Sequence, residues 1–307
     1  MSMLFMILLF PLEVASLDIS IFGFRALWSP VFLSVIVILI GVYFYIIRKE
    51  KYRVTGKQQF FFLSSMILLY MMKGGPFDLL GHLMFSAHMT AMAIVYLAVP
   101  PLMLLGLPET LLREFINLKR VRPLYSFFTK PLIALILFNG LFSLYHIPLV
   151  FDVVKTDMIL HSITTSVLFI GAFLMWWPVV NPLPEEESLT PIKKIGYIFA
   201  DGVLLTPACA LIIFASTPLY STYTDPTLWL TALELCVPAD MLATLSISTP
   251  ELFNWFPVVE DQQLGGVIMK VVQEIVYGSI LGYIFFQWAR KERENDQLEI
   301  ATKPQVN

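Results

Sequence analysis

The chain has 307 residues, of which 57% are hydrophobic and 14% charged, with a net charge of −3. Soluble domains carry about 25% charged residues, so a water-soluble globule is excluded and the apolar excess has to face lipid. The two cysteines, Cys209 and Cys236, lie far apart and make neither a disulfide framework nor a CxxC zinc pair.

The first ten residues are apolar but lack the basic start of a signal peptide. Residues 1–29 read as an external N-terminal segment, its apolar start docked at the interface. Apolar runs of spanning length then follow near residues 30–47, 59–72, 83–105, 131–148, 158–180, 195–214 and 264–288. A backbone crossing lipid has to satisfy its own hydrogen bonds, which makes each run a helix. No internal repeat or long linker interrupts them. The expected fold class is therefore all-α: a polytopic membrane protein with seven transmembrane helices in one domain, residues 30–290, and a tail, residues 291–307.

Lys and Arg set the orientation. The loop after the first span carries Arg48, Lys49, Lys51, Arg53 and Lys57, and the next carries only Lys73. The third has Arg113, Lys119, Arg120, Arg122 and Lys130, and the fourth only Lys155. Lys193 and Lys194 follow in the fifth, none stands in residues 215–262, and Arg290, Lys291, Arg293 and Lys303 lie beyond the last span. This alternation predicts the N-terminus outside and the C-terminus, with its tail, in the cytoplasm. Residues 215–262 become the largest external loop, with a helix lying on the membrane around 228–245.

On this topology all four histidines fall in the outer part of the membrane. His82 is at the mouth of the third span and His88 about 9 Å deeper. His146 ends the fourth span and His161 stands in the first turn of the fifth. A shared external metal site is the expectation, set against interfacial histidines satisfied by water or carbonyls. On a straight helix His82 and His88 are about 120° out of phase, so sharing one ion requires His82 to sit in the loop, where Gly74-Gly75-Pro76 and Gly81 favour a turn. Met84, His88 and Met92 form one stripe at i, i+4 and i+8, and Met158 stands three residues before His161. Imidazole with thioether suits Cu(I) better than magnesium or calcium, although methionine is more often a core filler. Asp78, Asp152 and Asp157 are placed to orient imidazoles or to be ordinary loop acids. Cys209 lies at a similar depth and is more simply a buried thiol.

Deeper in the membrane, Lys270 and Glu274 are one turn apart near the midplane of the last span. They form a self-neutralising pair or part of a pathway. Asp201 is placed near the inner end of the sixth span, as a cap or facing water. There is no P-loop, zincin or nucleophile-elbow motif, and the basic residues are helix flanks, so neither nucleic-acid binding nor enzymatic activity is expected.

Several stretches carry a resemblance. Ile21-Phe22-Gly23-Phe24-Arg25-Ala26-Leu27-Trp28-Ser29-Pro30 leads into the first span. Phe85-Ser86-Ala87-His88-Met89 precedes Val99-Pro100-Pro101-Leu102-Met103-Leu104-Leu105-Gly106. Tyr145-His146-Ile147-Pro148, His161 with Met175-Trp176-Trp177-Pro178, and Asp261-Gln262-Gln263-Leu264-Gly265-Gly266-Val267-Ile268-Met269 follow in order. Over nearly its whole length the chain resembles the CtaG family of assembly factors for caa-type cytochrome c oxidase, multi-pass proteins of the bacterial plasma membrane. The resemblance implies a role in respiratory-chain biogenesis as a metallochaperone helping copper reach the oxidase haem–copper centre. Its partners would be an oxidase subunit, the lipid bilayer and an external copper donor. One departure stands out: the family pattern is His-Met-x-x-His, and here Met92 holds the second histidine's place. A methionine there keeps the i, i+4 geometry and suits Cu(I) but is poor for Cu(II) or zinc. The expected copper ligands are His82, His88, His146 and His161, with Met84 and Met92.

Two other readings remain. A haem-binding electron carrier would use the histidines as axial ligands, but all lie on one side, and His82 and His88 are too close along one helix for stacked haems. A metal ion transporter would route ions past Lys270 and Glu274, but no inverted repeat is visible.

Overall fold

The structure, a computed structural model, describes residues 19–245, 253 and 255–302. The apolar first residues and the last five lie outside the described residues. Every described element is helical. In chain order these are α1 Gly23–Trp28, α2 Pro30–Ile47, α3 Gly56–Lys73, α4 Pro76–Leu83, α5 Phe85–Ala93, α6 Val99–Gly106, α7 Glu109–Ile116 and α8 Val121–Phe128. Then come α9 Pro131–Tyr145, α10 Pro148–Thr156, α11 Met158–Val180, α12 Pro191–Ile213, α13 Pro226–Leu233, α14 Ala239–Thr244 and α15 Val258–Thr302. Proline opens α2, α4, α9, α10, α12 and α13, where its missing N–H has no helical partner to lose. Thr55 and Gln58 close a reciprocal capping box ahead of α3.

Six helical stretches are long and apolar enough to cross a membrane: Ile19–Ile47, Gly56–Leu83, Phe85–Gly106, Met158–Val180, Pro191–Ile213 and Val258–Glu294. A seventh is reached only by joining α8 to α9 across an 82° bend. The expected fourth span, 131–148, is thus shorter than its apolar run. Helix α9 stops at Tyr145 because Ile147 precedes a proline and takes an extended conformation.

The basic loops meet at one end of the bundle. Lys51 pairs with Glu114, and Arg113 reaches Glu185 and Arg122 reaches Glu186, both at 2.5 Å. The loops after α2, α6 and α11 therefore share a face, as the charge alternation requires. Such solvent-exposed pairs contribute little to stability.

At the opposite end, residues 219–245 fold onto the bundle. A single helix on the membrane surface was expected around 228–245. Instead two short helices, α13 and α14, are separated at Pro238. Trp229 and Leu233 of α13 are fully buried against Phe22, Leu79, Leu83 and Met84, so the apolar face covers protein. Asp152 holds the approach to α13 by accepting the backbone N–H groups of Ser221 at 3.0 Å and Thr222 at 2.9 Å, and the Thr222 hydroxyl.

The expected third span, 83–105, is interrupted twice. At Met84 the backbone turns extended (φ −135°, ψ 139°), separating α4 from α5. The freed N–H groups of Phe85 and Ser86 donate to Asp261 of α15 at 2.7 and 3.3 Å, and the Ser86 hydroxyl donates to the same carboxylate. Gly265 and Gly266 make that approach possible. A Cβ on Gly265 would lie 2.9 Å from Phe85 Cδ1 and 3.1 Å from Ser86 Cα, and one on Gly266 2.7 Å from Ile213 of α12. Lower down, a π turn, Ile94–Ala98, precedes Pro100 and Pro101. Pro100 cannot donate to the carbonyl four residues back, that of Tyr96, which instead accepts the Trp176 indole N–H at 3.1 Å.

Asp201 was expected near the inner end of its span. Because α12 begins at Pro191, it lies midway along that helix, buried. It accepts from Asn139 at 2.5 Å and from the Tyr277 hydroxyl, tying α9, α12 and α15 together. Asp261→Ala strands the two α5 amides. It is expected to destabilise the detergent-solubilised protein by about 2 kcal/mol, with Ser86→Ala costing less, measured by equilibrium denaturation.

Candidate functional site

The break at Met84 decides which histidines meet. Because α4 and α5 are separate helices, the phase difference between His82 and His88 on a straight helix no longer applies. Gly81 packs on the backbone of His88, a Cβ there lying 3.3 Å from His88 Cα. Both histidines, with His161 of α11, line one small cavity of about 30 Å³. Met72, Lys73, Asp78, Met92, Tyr145 and Lys155 are among its other lining residues. The His82 and His161 rings are 6.0 Å apart between centroids. His88 Nε2 lies 3.4 Å from the Tyr145 hydroxyl, and its ring meets Phe151 edge-on.

His146 lies elsewhere. Its ring rests 4.2 Å from that of Phe142, and its Nδ1 donates to the Phe142 carbonyl at 2.7 Å, leaving Nε2 buried with no partner. Met84 packs into the outer cluster with Leu79, Leu83 and Trp229. Met158 is 61% exposed and turned from the cavity. Of the six expected ligands, His82, His88, His161 and Met92 are brought together, and His146 and Met84 are not. Among the described residues no group of three or more His, Cys, Asp or Glu side chains is gathered tightly enough to hold a metal ion.

The loop acids divide. Asp78 lines the cavity and faces Lys73 at 3.9 Å. Asp157 caps α11 through the Leu160 N–H, and Asp152 serves the loop before α13. Cys209 is buried in the main core.

Lys155 is the residue that the sequence marked only as a lone loop charge. It is 2% exposed, reaching under α4 to donate to the Gly81 carbonyl at 3.3 Å and to His82 Nδ1 at 3.4 Å. Tyr223 donates to the same Gly81 carbonyl at 2.7 Å. His82 Nδ1 is therefore engaged, whereas His161 Nδ1 is buried with no partner. The missed signal was amphipathic: α10 buries Phe151, Val154 and Lys155 and exposes Val153, so the lysine belongs to the inward face.

These features define a class: a multi-pass helical membrane protein with a small cavity lined by three histidines and a buried lysine at the end away from its basic loops. Comparison with protein families identifies it further. The family described as cytochrome c oxidase caa3 assembly factor matches residues 24–291, and the chain belongs to that family. Comparisons with curated proteins and with solved structures find no match.

Burial, and then the nearby charge of Lys73, push Lys155 down from its ordinary value of 10.5 to about 7, with Asp78 opposing. The unfolded chain then holds this proton more tightly than the folded one, so stability rises with pH above about 7 until the unfolded lysine also titrates. The thermal midpoint in detergent is expected to climb between pH 7 and 9, and Lys155→Met to flatten that climb.

Proposed function

We propose that this oxidase assembly factor acts on copper: that it takes up Cu(I) at the cavity and hands it to an oxidase subunit, without catalysing a reaction of its own. The N-terminus and cavity face outward and the basic loops face the cytoplasm, which opens the cavity end to an external copper donor. The observation carrying the reading is His161 Nδ1, a buried ring nitrogen without a partner, lining the same cavity as His88 and Met92. Two imidazoles and a thioether are a donor set suited to Cu(I). The roughly 30 Å³ of space accommodates an ion with one or two waters at about 10–15 Å³ each. Lys155 holds His82 Nδ1 and the described ligands are not gathered tightly around one point, so the site is not pre-assembled, which suits cargo that must leave again. His146 and Met84 are assigned to packing.

The haem reading loses support on size. The cavity is about a tenth of the ~300 Å³ lower bound of ordinary small-molecule sites, and the larger apolar grooves contain no histidine. The transporter reading loses support because Glu274 points outward and not along a path through the bundle.

The test is anaerobic loading of purified protein with Cu(I), followed by elemental analysis. His88→Ala and His161→Ala are expected to weaken retention about tenfold or more, and His146→Ala to retain copper like the wild type. A wild type that holds no copper, or equal retention in all four proteins, overturns the copper reading and leaves assembly to protein contacts alone.

A further inference from the structure

The last span carries a charge on its outer surface. Gly265 packs beside Phe85 at the start of the third span, and Glu274 is nine residues further along, about 13 Å at helical rise. The third span, Phe85–Gly106, has 22 residues, about 33 Å. Glu274 therefore stands well inside the hydrocarbon. Its neighbours turn inward: Gln273 is buried, and Tyr277 bonds Asp201. The Glu274 side chain is 71% exposed. Ionisable groups in membrane helices almost always face the bundle interior or a water-filled cavity, and this one does neither.

Among the described residues its one cation is shared. Lys270 Nζ is 3.7 Å from Glu274, while it donates to Gln273 at 3.0 Å and to Thr206 at 3.3 Å. Most of the carboxylate's acceptor capacity is turned outward. One turn further along the same row stands Gly278, where a Cβ would meet nothing within 4 Å, so another helix can come close to the α15 backbone beside the carboxylate.

Resting on the assembly-factor reading, we propose that the α15 row Lys270, Glu274 and Gly278 is the docking surface for a transmembrane helix of the oxidase that presents a hydroxyl, amide or cationic donor to Glu274. Charge complementarity selects this occupant. Lipid tails carry no donor. A second copy related by a two-fold axis along the membrane normal sets Glu274 level with its own equivalent, and the cation that its row brings, Lys270, is already held by Gln273 and Thr206.

The experiment co-expresses the full chain with the caa3-type oxidase of the same cell. A photo-cross-linking residue replaces Ile275, or as a control Ile170, which is exposed on α11. The expected result is cross-linking to an oxidase subunit from position 275 and not from 170. Glu274→Leu should lower the yield roughly three- to fifteenfold, as for loss of a hydrogen bond between membrane helices, with Glu274→Gln retaining most of it. Gly278→Leu should block approach with an unchanged thermal midpoint, since both positions are open. Equal cross-linking from both positions, indifference to both Glu274→Leu and Gly278→Leu, or cross-linking to a second copy overturns the docking surface. Oxidase content that is normal in cells lacking the chain overturns the assembly reading itself, a result separate from the cross-links.

Discussion

A helix that stops and restarts within a membrane protein leaves amide hydrogens without partners, and lipid supplies none. At Met84 this demand falls on a single carboxylate. Asp261 takes the amides of Phe85 and Ser86 and the Ser86 hydroxyl, and it can arrive only because Gly265 and Gly266 bring α15 against α5 and α12. With the break sustained, α4 and α5 present their histidines independently, and Lys155 can reach in beneath Gly81. Without it, the third span would be one straight rod with His82 and His88 on different faces. The cavity is therefore a consequence of how the helix break is satisfied.

The polar groups of the bundle form two tiers. At the histidine end, Asp152, Tyr220 and Tyr223 bind the 219–225 loop to the bundle: Asp152 through Ser221 and Thr222, Tyr220 through the His146 carbonyl and Tyr223 through the Gly81 carbonyl. At mid-depth, Asp201, Asn139 and Tyr277 join three helices, and Trp176 satisfies the carbonyl freed by Pro100. The upper tier encloses the cavity and the lower one fixes the helices beneath it. At the Met84 break and at Pro100 the protein covers its freed backbone groups with a side chain from a distant segment.

The spans and the common placement of the histidines were legible in the sequence because they depend on local quantities: apolar run length, the alternation of basic loops and proline positions. Even the two motifs Phe85-Ser86-Ala87 and Asp261 to Gly266 were visible as words, though not that they touch. What was not legible depends on contacts between segments far apart. Met84 looks like a helical residue, and only Asp261, 177 positions later, makes its extended backbone tolerable. Lys155 looks like a loop charge until α10 folds under α4. The shared site of four histidines came from depth alone, and depth does not specify which way a ring faces, so His146 was grouped with residues that it does not join. Asp201 was misplaced by a helix start four residues earlier than the apolar run.

The buried lysine has a consequence for valence. Two unit charges about 6 Å apart at an effective dielectric near 20 interact with about 3 kcal/mol. With Lys73, Lys155 and Asp78 all lining the cavity, an ion entering on the copper reading would meet, while Lys155 holds its proton, a repulsion proportional to its charge. A divalent ion meets twice the opposition of a monovalent one, in a site whose donors are neutral and cannot offset the difference. On the copper reading, the cavity would thereby grade cations by charge while Lys155 is protonated, through a residue outside the proposed donor set.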